Sequence, residues 1–284
     1  MVMTVRPLQR EELDTVLEWA AAEGWNPGLH DAESFWAADP AGFFALESEG
    51  ELVGSISLVA YGHRYGFAGL FIVRPEFRGR GIGSLGVENL LAGFRRRLDA
   101  NATIAIDGVF EMQEYYASLG MEFNHRNIRM AGVGAANPAA RSACHWLTGV
   151  PFAEIVAYDT SHFGAPRAEF LHPWIHQAGA LAVAALDDGQ LTGYGVVRPC
   201  RAGFKIGPLF AADSEIAELL YAGMSDHADG APLFLDVPEI NGAAMALAAA
   251  HHLTEVFGCA RMTMGPPPHI SWLEVFGVTT FELG

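Results

Sequence analysis

Cysteine is scarce in this chain. Only three occur in 284 residues, Cys144, Cys200 and Cys259, and they are scattered. An odd, dispersed set suggests neither a disulfide framework nor a zinc site, and fits a reducing cytosol. The His251-His252 pair lacks companions at metal-ligand spacing, so no metal is expected. Charge is also sparse, at 18% of residues. Lys and Arg number 17 against 33 Asp and Glu, for a net charge of −16. Such a field repels nucleic acid and anionic lipid, and mildly attracts a cationic small molecule. No apolar run is long enough to span a bilayer. The opening "MVMTVRPLQREEL" lacks the basic and apolar regions and the cleavage site of a signal peptide. These absences predict a cytoplasmic protein with no nucleic-acid or membrane partner.

Apolar residues are plentiful, at 51%. The length suits one large domain or two of about 140 residues each. Internal similarity favours two. Residues 42–73 read "GFFALESEGELVGSISLVAYGHRYGFAGLFIV", and residues 179–210 read "GALAVAALDDGQLTGYGVVRPCRAGFKIGPLF". Each runs strand, acidic turn, second strand, Arg-containing hairpin loop, Gly-Phe and third strand. A helical pattern follows each: Val87, Leu90, Leu91, Phe94 and Leu98 in the first half, Ile216, Leu219, Leu220 and Met224 in the second. Then comes a strand ending in Asp ("TIAID", 103–107; "LFLD", 233–236), another helix, and a segment carrying Arg-Met (Arg129-Met130; Arg261-Met262). "AGVGAANPAAR" (131–141) is small and polar, with a proline, as linkers are. The reading is two tandem α+β domains, 1–132 and 142–284, joined by a linker at 133–141.

The densest local pattern is "VRPEFRGRGIGSLGVENLL" (73–91). A strand ends near Val73, Arg78 to Gly83 form a loop, and Ser84 opens a helix. Glycines let successive N–H groups point inward, and a helix N-terminus adds uncovered donors and partial positive charge. Together they make an anion site suited to a phosphate or pyrophosphate. The hexapeptide alone is also compatible with a plain surface turn. The dinucleotide fingerprint needs a different spacing and a parallel βαβ unit, whereas the strands before this loop read as an antiparallel meander. The Walker loop needs a lysine that is absent here.

"RGRGIG" resembles the (Q/R)-x-x-G-x-(G/A) motif of the GNAT superfamily of acyl-CoA-dependent N-acetyltransferases. "LFIVRPEF" is similar to that family's fourth strand and its approach to the loop. "VRPLQREELDTVLEWAAAEG" resembles its first strand and helix, and "EYYASLGMEF" (114–123) its Tyr-x-x-x-Gly-Phe ending. The likeness covers most of 4–130 and is specific in combination. It implies two GNAT-like domains, each a mixed, mostly antiparallel sheet flanked by helices, with acetyl-CoA as co-substrate and no metal. The backbone of Phe71, Ile72 and Val73 would hold the pantetheine arm. The N–H groups of Arg78, Gly79, Arg80, Gly81, Ile82, Gly83 and Ser84 would hold the pyrophosphate. The family tyrosine falls on Tyr116. Where relatives often carry an Asn that touches pantetheine, this chain has Val109.

Acyl transfer from a thioester to an amine needs a neutral nitrogen, a stabilised carbonyl oxygen and a proton for the leaving sulfur. The N–H of Val73 could polarise the carbonyl. Tyr116 is the expected acid, although Met112, Tyr115, Tyr116 and Leu119 also form a helical stripe suited to core packing. The fourth strand carries no Glu or His, so the base stays open among Asp107, His63, Tyr65, Glu23 and water relayed to solvent. In "EGWNPGLHD" (23–31), Trp25 could wall the acceptor and Asn26 could hydrogen-bond it, with His63 nearby; an N-P-G turn over a packed Trp fits equally.

The second half has "FAADSEIAELL" where the first has its glycine loop, and Ala248 where the first has Tyr116. Asp213 or Ser214 reads as an ordinary N-cap. This half is expected to have lost CoA binding. It could still close the acceptor pocket, with Asp236, Glu239 and "GPPPH" (265–269) as polar candidates, or supply a homodimer surface. The expected activity is acetyl transfer from acetyl-CoA to an amine of a small molecule. The alternative is a catalytically weak acyl-CoA-binding sensor.

Overall fold

Two acidic turns set the pattern of the fold. Glu49 and Gly50 both have positive φ (53° and 83°), as do Asp188 and Gly189 (46° and 81°). Two successive left-handed residues make the tight turn whose twist matches antiparallel strands. The repeated Glu/Asp-Gly dipeptides therefore fold as repeated hairpins. A computed structural model of the chain describes residues 3–79 and 87–284.

The first repeat runs β1 (Met3–Pro7), α1 (Arg10–Ala22), α2 (Asp31–Ala38), β2 (Phe43–Ser48), β3 (Glu51–Tyr61), β4 (Tyr65–Val73), α3 (Val87–Arg95), β5 (Thr103–Val109), α4 (Gln113–Ser118) and β6 (Glu122–Val133). After α5 (Pro138–Ala143), the second runs β7 (His145–Trp146), α6 (Phe152–Phe163), α7 (Ala168–Trp174), β8 (Leu181–Asp187), β9 (Gln190–Pro199), β10 (Phe204–Ala211), α8 (Ser214–His227), β11 (Pro232–Pro238), α9 (Gly242–Ala250) and β12 (Thr254–Met264). A short strand, β13 (Val275–Gly277), follows. The expected mixed, mostly antiparallel sheet flanked by helices is present in both repeats.

The sheet does not stop where the repeats meet. Among the described residues it runs β1-β2-β3-β4-β5-β12-β6-β11-β10-β9-β8-β7, with β13 on β10. The last strand of each repeat has entered the other. β12 pairs with β5 of the first repeat, and β6 pairs with β11 of the second. The repeated Arg-Met segments thus face the opposite repeat's Asp. Arg261 lies across from Asp107, and Arg129 across from Asp236, each as a two-pronged buried ion pair.

One hydrophobic core spans both repeats on one face. It joins Leu13, Val16 and Phe35 to Phe163, Phe170 and Trp174. Phe35 stacks on Trp174 at 6.4 Å between ring centroids. On the other face each repeat keeps its own core, under α3 and α4 or under α8 and α9. The stretch expected as a linker is structured. Val133 closes β6, Asn137 caps α5 by accepting from the Ala140 N–H, and the Asn137 N–H donates to Asp226 at 2.7 Å.

Candidate active site

β4 and β5 run parallel only from Tyr65–Ala68 against Thr103–Ile106. Beyond that they splay apart. Leu70 sits at φ 44°, a strained angle for a side chain of its size, beside a register break with β3. The wedge opens into a cavity of about 500 Å³. One wall is the free edge of β4 from Gly69 to Val73, and the other is Ile106 to Val109 of β5. α4 contributes Tyr116, and the chain after α1 contributes Glu23 and Trp25. The second repeat adds Phe257, Cys259, Phe281 and Glu282.

Several predicted residues meet here. Phe71, Ile72, Val73, Arg78 and Gly79 all line the cavity. Arg78 donates from Nε to the Val73 carbonyl at 2.7 Å and pairs with Glu23, tying the mouth of the wedge to the chain after α1. Arg80, Gly81, Ile82, Gly83 and Ser84 lie outside the described residues. Tyr116 is buried, and its ring packs over Gly108, where any Cβ would overlap it. Burial pushes its phenol pKa up, with the nearby Cys259 and Tyr115 adding to the rise, so the hydroxyl keeps its proton at neutral pH. Val109 lines the cavity where an Asn was expected from the resemblance.

Other expectations need correcting on geometry. Asp107 lines the cavity, but Arg261 holds both its oxygens, at 2.7 and 2.6 Å, and Asn127 donates to one at 2.8 Å. Its carboxylate is committed to that network. Asn26 does not face the cavity. It adopts φ 51° and exchanges hydrogen bonds with Ala202 of the second repeat, at 3.0 and 2.9 Å. His63 is exposed in the β3–β4 turn, with Nδ1 3.2 Å from the Arg97 carbonyl. That turn is at the closed end of the parallel pair, opposite the splay. Tyr65 lines a different cavity of about 270 Å³, beside His125 and Trp272.

Trp25 does wall the cavity, and β6 together with the second repeat's β10 holds it there. Its carbonyl accepts from Arg129 and, at 3.3 Å, from Lys205, the single lysine of the chain. Further along the loop, Asp31 is held by Arg198 at 2.8 and 3.1 Å, and the Leu29 N–H donates to the Pro199 carbonyl at 3.0 Å.

The second repeat has the matching wedge, and it is filled. β10 and β11 pair only from Phe204–Ile206 against Leu233–Leu235, then separate. β13 lies between them, pairing Gly277 with Leu209 and Val275 with Phe210. The Val278 N–H donates to the Asp236 carbonyl at 2.9 Å. Asp236 is paired with Arg129, and Glu239 lies 3.3 Å from Arg126. Asp213 caps α8, as expected, accepting from the N–H groups of Glu215 and Ile216.

Four cavity residues from the second repeat escaped the sequence reading as site residues: Phe257, Cys259, Phe281 and Glu282. Burial raises the Cys259 thiol well above its ordinary value, which leaves it inert. A faint signal for the tail was present. Gly69 and Gly207 both follow the last paired residue of the parallel segment. Any Cβ at Gly207 would overlap the Thr279 carbonyl, and any Cβ at Gly69 the Glu282 carbonyl. One tail crosses both glycines. Among the described residues, no cluster of three or more His, Cys, Asp or Glu side chains is arranged for a metal ion. No helix there is long and apolar enough to cross a membrane.

A family model described as "Acetyltransferase (GNAT) family" matches residues 10–121, and one described as "Acetyltransferase (GNAT) domain" matches residues 155–277. Holothin acyltransferase of Pseudoalteromonas sp. (strain SANK 73390) is 27% identical over 282 residues, covering 99% of this chain and 94% of that protein. Acetyltransferase plu1384 of Photorhabdus laumondii is 36% identical over 102 residues, 34% of this chain and 68% of that protein. Among solved structures, a Pyrococcus horikoshii protein provisionally described as an acetyltransferase superposes with TM-score 0.83 at 22% identity, over 99% of this chain and 96% of that one. A tandem GNAT protein from the clavulanic acid biosynthesis pathway superposes at 0.62 and 16% identity, over 94% and 99%.

Proposed function

Because the chain belongs to the GNAT family of acetyltransferases, we propose that it transfers the acetyl group of acetyl-CoA to an amine of a small molecule, by direct attack of the nitrogen on the thioester. The observation that carries this reading is the open wedge between β4 and β5, with Tyr116 on its flank.

The free edge of β4 offers backbone groups at Phe71, Ile72 and Val73 to the amides of a pantetheine arm. The cavity is wide enough for that arm and largely apolar. The N–H of Val73 is the donor for the thioester carbonyl as its oxygen gains charge. Tyr116, protonated at neutral pH, gives its proton to the departing sulfur. Trp25, Phe257 and Phe281 form the acceptor side, and holding the amine against the thioester removes much of the barrier by proximity. The near full-length relative named for holothin favours a small molecule over a protein amine.

The test is thiol release from acetyl-CoA across a panel of small primary amines. Replacing Tyr116 by Phe is expected to lower kcat by about 100-fold, with acetyl-CoA affinity within about twofold of the parent. Absence of amine-dependent thiol release would overturn the reading. Unchanged turnover in Tyr116→Phe would return that side chain to the core stripe.

A further inference from the structure

The first repeat carries no acidic side chain on β4, and Asp107 is held by Arg261 and Asn127. One carboxylate beside the cavity is not so engaged. Glu282 is 3% exposed and lines the acceptor side. Among the described residues, neither of its side-chain oxygens has a hydrogen-bond partner.

Its backbone is fixed from several sides. The Glu282 N–H donates to the Thr280 hydroxyl at 2.9 Å. Tyr61 donates to the Leu283 carbonyl at 2.9 Å, and Arg167 to the Gly284 carbonyl at 3.0 Å. The bare face of Gly69 lets the Glu282 carbonyl lie directly on β4. The second repeat thus delivers the Glu282 backbone to the point where β4 leaves β5.

The charges around it are nearly matched without it. Arg129 is paired with Asp236 and Arg198 with Asp31. Lys205 bonds only the Trp25 carbonyl among the described hydrogen bonds. The charge of Glu282 is felt by all three of these cations. A buried carboxylate with no hydrogen bond is costly unless something binds it. Beside it, the Phe257 and Phe281 rings lie 6.2 Å apart and add apolar, aromatic surface; the Arg129 guanidinium already lies over both, at 5.6 and 4.8 Å from their centroids.

We propose that Glu282 receives the acceptor's ammonium group and takes its proton, so that the enzyme selects primary amines carried on an apolar or aromatic body. This rests on the acetyl-transfer reading above. Glu282 removes one proton from the ammonium, leaving a neutral nitrogen, and later releases that proton to solvent. The nitrogen lone pair forms the C–N bond, and collapse of the tetrahedral adduct breaks the C–S bond. Tyr116 protonates the sulfur and recovers a proton from the nitrogen. One proton leaves per turnover, and no oxidant or reductant is needed.

Two probe amines separate the roles. 2-Phenylethylamine is a cation at neutral pH, and aniline is already neutral. With acetyl-CoA, Glu282→Gln is expected to lower kcat/KM for 2-phenylethylamine by about 100-fold and for aniline by less than about threefold. Equal losses with both amines, or no loss with either, overturns the proposal. If the parent enzyme acetylates neither amine, the acetyl-transfer reading fails for these probes and calorimetry decides the carboxylate separately. Loss of 2-phenylethylammonium binding in Glu282→Gln supports its role, and unchanged binding overturns it.

Discussion

The two wedges of the sheet are built alike and differ in what lies between their strands. Each opens where a parallel pair ends, and each has a glycine at the split, Gly69 or Gly207. In the second repeat the chain's own β13 occupies the gap, and the Val278 N–H satisfies the Asp236 carbonyl. In the first repeat the corresponding gap is the cavity. Splayed strands leave backbone groups that must be paired by something. Protein does it permanently in one repeat. In the other, the gap stays open as a cavity. The second wedge is filled from within, and the filling segment continues to the wall of the first.

This comparison predicts first an all-or-none effect. Calorimetry is expected to find one acetyl-CoA site per chain, and two equal sites would break the comparison. The next effect tests whether the repeats stand alone. Arg261 reaches from β12 into the first repeat to hold Asp107. Arg261→Met strands a buried carboxylate and is expected to cost about 3–5 kcal/mol in urea unfolding. The transition should remain single, because β6 and β12 each belong to the other repeat's sheet. Two separate transitions would show that the exchange does not couple them. The smallest effect concerns Asn26. Its bonds to Ala202 tie the loop between α1 and α2 to the second repeat but not to the cavity. Asn26→Ala is expected to cost about 1 kcal/mol of stability with kcat unchanged; a large fall in kcat would put that amide at the acceptor after all.

Some of this was readable one residue at a time. Glu49-Gly50 and Asp188-Gly189 encode their turns locally, because the glycine takes its left-handed angle with no Cβ to clash. The apolar runs of β3, β4, β9 and β10 encode buried strands, and Tyr116 could be placed from its helix and the Gly that follows. Asn26 and His63 were misassigned for one reason. Nearness along the chain to a site segment says nothing of which end of a strand a turn occupies, or which loop lies across from it.

The sequence by itself determined the repeat, the element order, the antiparallel hairpins and the absence of a glycine loop from the second half. These follow from local backbone preference and from the period of apolar residues. Only the tertiary structure decided that β6 and β12 change places, that β13 fills one wedge, and that Glu282 arrives in the other. The period of a strand says which face is buried but not which strand lies beside it. Arg129 and Arg261 look alike in sequence, and either could have paired with the Asp of its own repeat. The choice between own and opposite partner depends on contacts more than a hundred residues apart, and those exist only once the chain has closed on itself.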